Sequence, residues 1–329
     1  MKRIYLPLTI ILCLGIVSTG MAQTNTSYGT GAGNAGNNNS SFGNNAGRIV
    51  TGAANTFFGH QAGYNQTNGY YNTFIGAYTG HKTTSGSSNI MIGERSGYHN
   101  TTGNLNIFIG TYSGHKNTTG YYNTFIGQAS AYDNTTGRYN TFLGRQASRR
   151  NTSGSYNTSL GYSAGYNNQT GSRNVFLGYY AGYNETGSDK LYIDNSSTAS
   201  PLIYGNFSTN IVNINGKLGV GTNTPDEKLT VKGKIHAEGL VCDLNIPAPD
   251  YVFEPDYRLR TLAEVEAYIQ KHKHLPSVPS AKTMAKEGVQ LLTLSMKLLE
   301  KVEELTLYTL AQQKEITQLK KQVKQLQQK

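Results

Sequence analysis

The sequence predicts a mainly β chain: a parallel β-roll or β-solenoid of 17-residue coils, followed by a short β neck, a small helical module and a C-terminal coiled coil. Three observations predict it. Asn55, Asn72, Asn89, Asn106, Asn123, Asn140, Asn157 and Asn174 recur every 17 residues, and a period this strict marks stacked copies of one unit. The composition, with 38 Gly, 24 Tyr, no Trp and 15% charged residues in 329, belongs to a repetitive or fibrous chain rather than an ordinary enzyme. Five consecutive heptads at the C-terminal end give the coiled coil.

Taken in order, residues 1–22 read as a signal peptide: Lys2 and Arg3, an apolar run from Ile4 to Val17, and small residues before Gln23. No later segment approaches the ~20 apolar residues of a spanning helix. The expectation is an exported chain, extracellular or at the cell surface, without an integral membrane anchor. Cys13 lies in the part removed, which leaves Cys242 as the only thiol and no disulfide framework. The formal charge of +10 is scattered along the sequence with no basic run interleaved with aromatics. It is read as solvation, and nucleic acid is not expected as a partner.

Residues 23–54 hold irregular copies, "NTSYG" and "NSSFG", and residues 55–190 the regular head. Counting from the repeated asparagine, position 5 is glycine in all eight regular copies and position 15 is glycine from Gly69 through Gly171. Two fixed glycines mark corners where φ is positive or backbones pass closely. Seventeen residues with two corners leave room for two strands of about five residues, and no proline interrupts the chain between Gln23 and Ser200. The word NTFIG at 72–76 and 123–127 supplies the expected structural residues: Asn72, Phe74, Ile75 and Gly76, and Asn123, Phe125, Ile126 and Gly127. Asn at position 1 is expected to bond along the stack. Neighbours on a strand point to opposite faces. With the aliphatic ladder of position 4 inside, the phenylalanines of position 3 are expected outside, covered by another copy around a symmetry axis. The alternative is a bulge at the glycine that admits both side chains to one core.

The unit N-x-F-[IL]-G-x-x-[AS]-G resembles the YadA-like head repeat of trimeric autotransporter adhesins, over roughly residues 25 to 190, though with a longer period than that family's usual one. The resemblance implies three parallel β-rolls packed side by side, hence a homotrimer.

Residues 191–249 read as the β neck, with strands at Ile211–Ile214, Lys217–Val220 and Lys228–Val231. Gly219-x-Gly221 is not a dinucleotide fingerprint, since no helix follows it. In residues 250–288, Thr261 and Glu264 form a capping box for a helix ending near His272, Ser280 caps a second helix and Gly288 ends it. Both "LGVGTNTPDEKLTVKG" and this module resemble segments of phage tail fibres and tail-fibre-like surface proteins of Bacteroidota. Residues 289–329 form the stalk, with Val302, Ile316 and Val323 at a positions and Leu298, Leu305, Leu319 and Leu326 at d positions as its oligomerisation residues. β-branched a with Leu d favours two strands, so a dimer stays open beside the trimer that the resemblance implies. Thr309 and Gln312 interrupt the seam.

For chemistry the repeats offer Glu94, Asp133 and Glu185, at different positions of the unit, so no carboxylate pair is expected. His81 and His115 take a position that Tyr64, Tyr98, Tyr132, Tyr166 and Tyr183 fill elsewhere. His272 and His274 lack a third ligand at metal spacing. The serine of a self-cleaving tail-fibre chaperone is absent from "PDYRLRTLAEVEAYI". No catalytic residue, cofactor or metal is assigned. The expectation is a secreted trimeric fibre, adhesin-like or tail-fibre-like, whose Tyr, Asn and Thr surface suits glycans or surface proteins. With no strands for an outer-membrane barrel, its attachment is expected to come from another protein, or the fibre is released or built into a larger particle. A carbohydrate-active solenoid and an ice-binding solenoid are the alternatives.

Overall fold

The computed structural model describes residues 25–33, 35–243 and 247–328. The signal peptide expected at 1–22, its cut before Gln23 and Cys13 lie outside them. The chain forms two compact units that divide between Lys234 and Ile235, so the strands of the neck belong with the coils.

Each coil contributes one three-residue strand, from β1 (Thr26–Tyr28) to β10 (Val175–Leu177), and the strands pair in parallel and in register. β11 (Lys190–Ile193) continues the parallel stack, and β12 (Ile203–Asn206) and β13 (Ile211–Ile214) close a 13-stranded sheet with antiparallel pairing. β14 (Leu218–Val220) and β15 (Leu229–Val231) form a separate parallel pair. The expected second strand of each coil is not formed. Positions 7 and 17 are left-handed in coil after coil, as at Tyr112 (φ 60°) and Tyr122 (φ 54°), and a left-handed residue breaks an extended run. The chain therefore curls through positions 6–11 instead, and hydrogen bonds between coils still satisfy its backbone, as from Gly114 N–H to the Ser130 carbonyl at 2.9 Å.

The orientation of the strand is the reverse of the one expected. Phe74 and Phe125 are fully buried, while Ile75 is 37% exposed and Ile126 is half-buried. Position 3 fills the interior as one file, Phe57, Phe74, Met91, Phe108, Phe125 and Phe142, with rings stacked 4.9 Å apart at Phe108–Phe125 and 5.1 Å at Phe125–Phe142. The reason is a third glycine, at position 9. At Gly114 a Cβ would lie 2.8 Å from the Phe108 ring, so the opposite wall presses its backbone onto the aromatic file. The interior is one large side chain deep, and it has no room for both ladders.

Amides flank the file. Asn72 donates its backbone N–H to Asn55 Oδ1 at 3.0 Å and its Nδ2 to the Gly86 carbonyl at 2.8 Å, and Asn123 repeats this with Asn106 and Gly137. The expected Asn ladder thus runs through the head. A second one, which the sequence reading missed, joins Asn100, Asn117, Asn134 and Asn151 at position 12 through Nδ2–Oδ1 bonds of 2.6–2.7 Å. These buried amides cost little because each has partners.

Two successive coils break these two rules together. Ser148 stands at the position-9 glycine and Ser159 at the next position 3, both are buried, and their hydroxyls lie 2.7 Å apart. The small Ser159 leaves space for the hydroxyl that Ser148 carries and that Ala131, at the same position of the preceding coil, lacks. Ser159→Phe alone is therefore expected to lower stability by ~1–3 kcal/mol through overpacking, although it lengthens the aromatic file. Ser148→Gly combined with Ser159→Phe should recover most of that loss. Urea midpoints of the two singles and the double check this, and additive effects would contradict the coupling.

In the second unit a short 3-10 turn at Pro249–Phe253 packs on the long helix. α1 (Leu262–His272) starts at Thr261 with the capping box to Glu264 and ends on left-handed Lys273. α2 (Ala281–Glu287) is capped by the Ser280 hydroxyl and stops at Gly288. α3 (Leu291–Gln327) is one continuous helix of 37 residues. Tyr251 and Tyr257 donate to Glu300 (3.0 Å) and Glu304 (2.5 Å), Tyr308 donates to the Arg260 carbonyl at 2.5 Å, and Lys301 bridges Glu300 and Glu304.

Candidate interaction surfaces

Burying position 3 turns positions 2 and 4 outward. Position 4 and its register partners read Tyr28, Phe42, Phe58, Ile75, Ile92, Ile109, Ile126, Leu143, Leu160, Leu177, Ile193, Ile203 and Ile214, and each is exposed or half-buried. This row is unbroken by any polar residue over thirteen strands, roughly 58 Å at ~4.8 Å per step. Position 2 beside it carries Thr, Ser, Ile, Val, Leu and Gly and no charge. An apolar row of this length exceeds what scattered surface hydrophobics account for.

The turn face carries a different pattern. Position 10 forms a file of Arg48, Tyr64, His81, Tyr98, His115, Tyr132, Arg149, Tyr166 and Tyr183. Tyr64, His81 and Tyr98 stack at 5.0 Å, His115 and Tyr132 at 4.9 Å, and Tyr166 and Tyr183 at 4.9 Å. Arg149 lies between Tyr132 and Tyr166, 5.0 and 5.9 Å from their ring centres. Burial, with the charge of Lys82, pushes His81 down and holds His99 down to about 4, and burial likewise lowers His115. A neutral imidazole is the form that stacks in such a file. Position 13 supplies the expected Thr ladder, but each hydroxyl donates to the next coil's carbonyl, as Thr101 does to Thr118 at 3.0 Å. Beside it Tyr122, Tyr139 and Tyr156 stack at 5.0–5.2 Å.

The four acids of the repeats each have a local partner: Glu94 lies 3.9 Å from Arg95, Asp133 lies 2.8 Å from Lys116, Glu185 accepts from the Tyr192 hydroxyl at 2.8 Å, and Asp189 pairs with Arg173 at 2.6 Å. Lys116 is raised by its bond to Asp133, and burial with Glu185 raises the Tyr192 phenol. His272 stacks on Tyr268 at 4.3 Å, and His274 donates Nδ1–H to the Leu275 carbonyl at 3.0 Å. Among the described residues no group of three metal-ligating side chains occurs, and no helix is long and apolar enough to cross a membrane. Cys242 is exposed.

On α3 the predicted seam is an open stripe: Leu298, Val302, Leu305, Ile316, Leu319, Val323 and Leu326 are 44–71% exposed. Its first part, Leu298, Val302 and Leu305, lines an apolar hollow with Leu262, Val265 and Tyr308. No family model, curated protein or solved structure matches this chain.

Proposed function

We propose that the chain is a secreted, fibrous, homotrimeric binding and structural protein, adhesin-like or tail-fibre-like, without catalysis. The observation that carries this reading is the unbroken apolar row at position 4. A second copy of the same uncharged face is its simplest cover, because the face is self-complementary and repeats at the same rise. The open a/d stripe of α3 supports the same reading independently, since heptad seams are buried by copies of themselves. The repeat word and its resemblance to trimeric adhesin heads favour three copies over the two that the seam composition suggests. The dispersed acids, each engaged locally, support a binding surface over a hydrolytic site.

Sedimentation equilibrium of residues 23–329 tests the proposal. A trimer is expected, and Ile126→Asp with Leu143→Asp should weaken it. A monomeric parent chain refutes the covered face, and a dimer refutes the threefold arrangement.

A further inference from the structure

Seven basic residues of the coils, Arg48, Lys82, Arg95, Lys116, Arg145, Arg149 and Arg150, come together on the turn face, at positions 6, 7, 10 and 11. Only two acids share these rows in the regular coils, Glu94 and Asp133, and both have basic neighbours. The coil that begins at Asn140 is different: it places Arg145, Arg149 and Arg150 on this face. Among the described residues none of the three pairs with a carboxylate. Arg145 donates to Gln128 Oε1 at 2.9 Å and to the Tyr162 hydroxyl at 3.1 Å. Arg149 donates to the Tyr166 hydroxyl at 3.2 Å, and Arg150 to Asn167 Oδ1 at 3.2 Å. These neutral oxygens position the guanidiniums without cancelling their charge, and each keeps N–H groups to spare. Beside Arg150, a shallow hollow is lined by Lys116, Asp133, Thr135, Thr152 and Gln169 as well.

The geometry points to this face as a binding rail for an acidic polysaccharide, whose carboxylates are taken by Arg145, Arg149 and Arg150. The inference rests on the reading of the chain as a non-catalytic binding protein and names its partner. Three features select this chemistry. Planar guanidiniums held in fixed positions match carboxylates bidentately. The coils rise by ~4.8 Å along the rail, close to the advance per sugar of an extended pyranoside chain, so units on either side of the arginine coil meet Gln128 of the coil before it and Tyr162, Tyr166 and Asn167 of the coil after it. The ring faces of the position-10 file are already used by one another, or by Arg149, at 4.9–5.9 Å. A nucleic-acid base therefore finds no free ring face within the position-10 file, and base stacking is what single-strand binders use; a sugar acid needs only the edges.

The test uses residues 23–329 and polygalacturonate as the probe, with its methyl-esterified form and single-stranded DNA as comparators, in moderate salt. Expected are binding to polygalacturonate, loss of binding on esterification, and weaker binding to DNA. Arg145→Gln with Arg150→Gln should weaken polygalacturonate binding about tenfold or more, the scale of one charge-assisted hydrogen bond. These two side chains are exposed, so the variant keeps the fold, which its circular dichroism and sedimentation mass verify. Equal binding of DNA, indifference to esterification, or an unaffected double variant each overturns the proposal. Polymer length is measured alongside: bound polymer that is shortened refutes the non-catalytic reading while leaving the rail intact, and unshortened polymer that fails to bind does the reverse.

Discussion

Gly110→Ala is expected to cost the head ~3–5 kcal/mol, a large loss for one added methyl group. Gly110 has φ +130°, outside the range that side chains other than glycine's tolerate, and a Cβ there would sit 2.6 Å from both the carbonyl carbon and oxygen of Gly127. Both obstacles are backbone, and Gly127 is itself fixed against Gly144 in the same way, so no rotamer change relieves the clash. The coil stack would have to open locally. Gly114→Ala provides the internal comparison. Its neighbour is the Phe108 ring, and the chain already tolerates a Cβ at the equivalent position in Ala131 (φ 47°) and Ser148 (φ 44°). Its cost should be clearly smaller. Denaturant midpoints of the two variants order them, and a Gly114→Ala loss equal to that of Gly110→Ala would contradict the geometry.

Phe125→Ala against Ile126→Ala is the second large effect. Phe125 is fully buried between Phe108 and Phe142, and its truncation leaves a gap in a file that backbone on the far side cannot fill. A loss of ~3–5 kcal/mol is expected, as for buried aromatic truncation in general. Ile126 loses only contacts that are already half open to solvent in the single chain, so its variant should unfold within about 1 kcal/mol of the parent as a monomer. Under the proposed trimer Ile126→Ala acts elsewhere, by shifting association at low protein concentration. Concentration-dependent unfolding separates these: Phe125→Ala should be unstable at every concentration, and Ile126→Ala only where copies dissociate.

The inversion of the strand shows where sequence reasoning stopped. Strict alternation told that Phe and Ile point apart, and it was correct. Which of them points inward depends on what stands opposite, and position 9 supplied that signal. Gly63, Gly80, Gly97, Gly114, Gly165 and Gly182 were visible in the sequence, but nothing local says that this wall lies on the aromatic ring. Position 2 held a further hint, since Thr56, Thr73, Thr124, Thr141 and Thr158 share a face with position 4 and favour solvent. The same limit hid the turn face: Arg145, Arg149 and Arg150 are near neighbours in sequence, yet their partners Gln128, Tyr162, Tyr166 and Asn167 come from adjacent coils.

The sequence by itself determined the period, the parallel in-register stack, the Asn ladder at position 1, the capping box at Thr261 and the long C-terminal helix. Each of these depends on interactions between residues at a fixed separation, either within one helical turn or between equivalent positions of successive copies. Only the tertiary structure decided that each coil has one strand, that phenylalanine is the interior and isoleucine the exterior, and that scattered arginines share a face with an aromatic file. Those outcomes depend on how one part of a coil faces another, and on the width left between them. Periodicity carries no measure of that width; the backbone of Gly114 against the ring of Phe108 does.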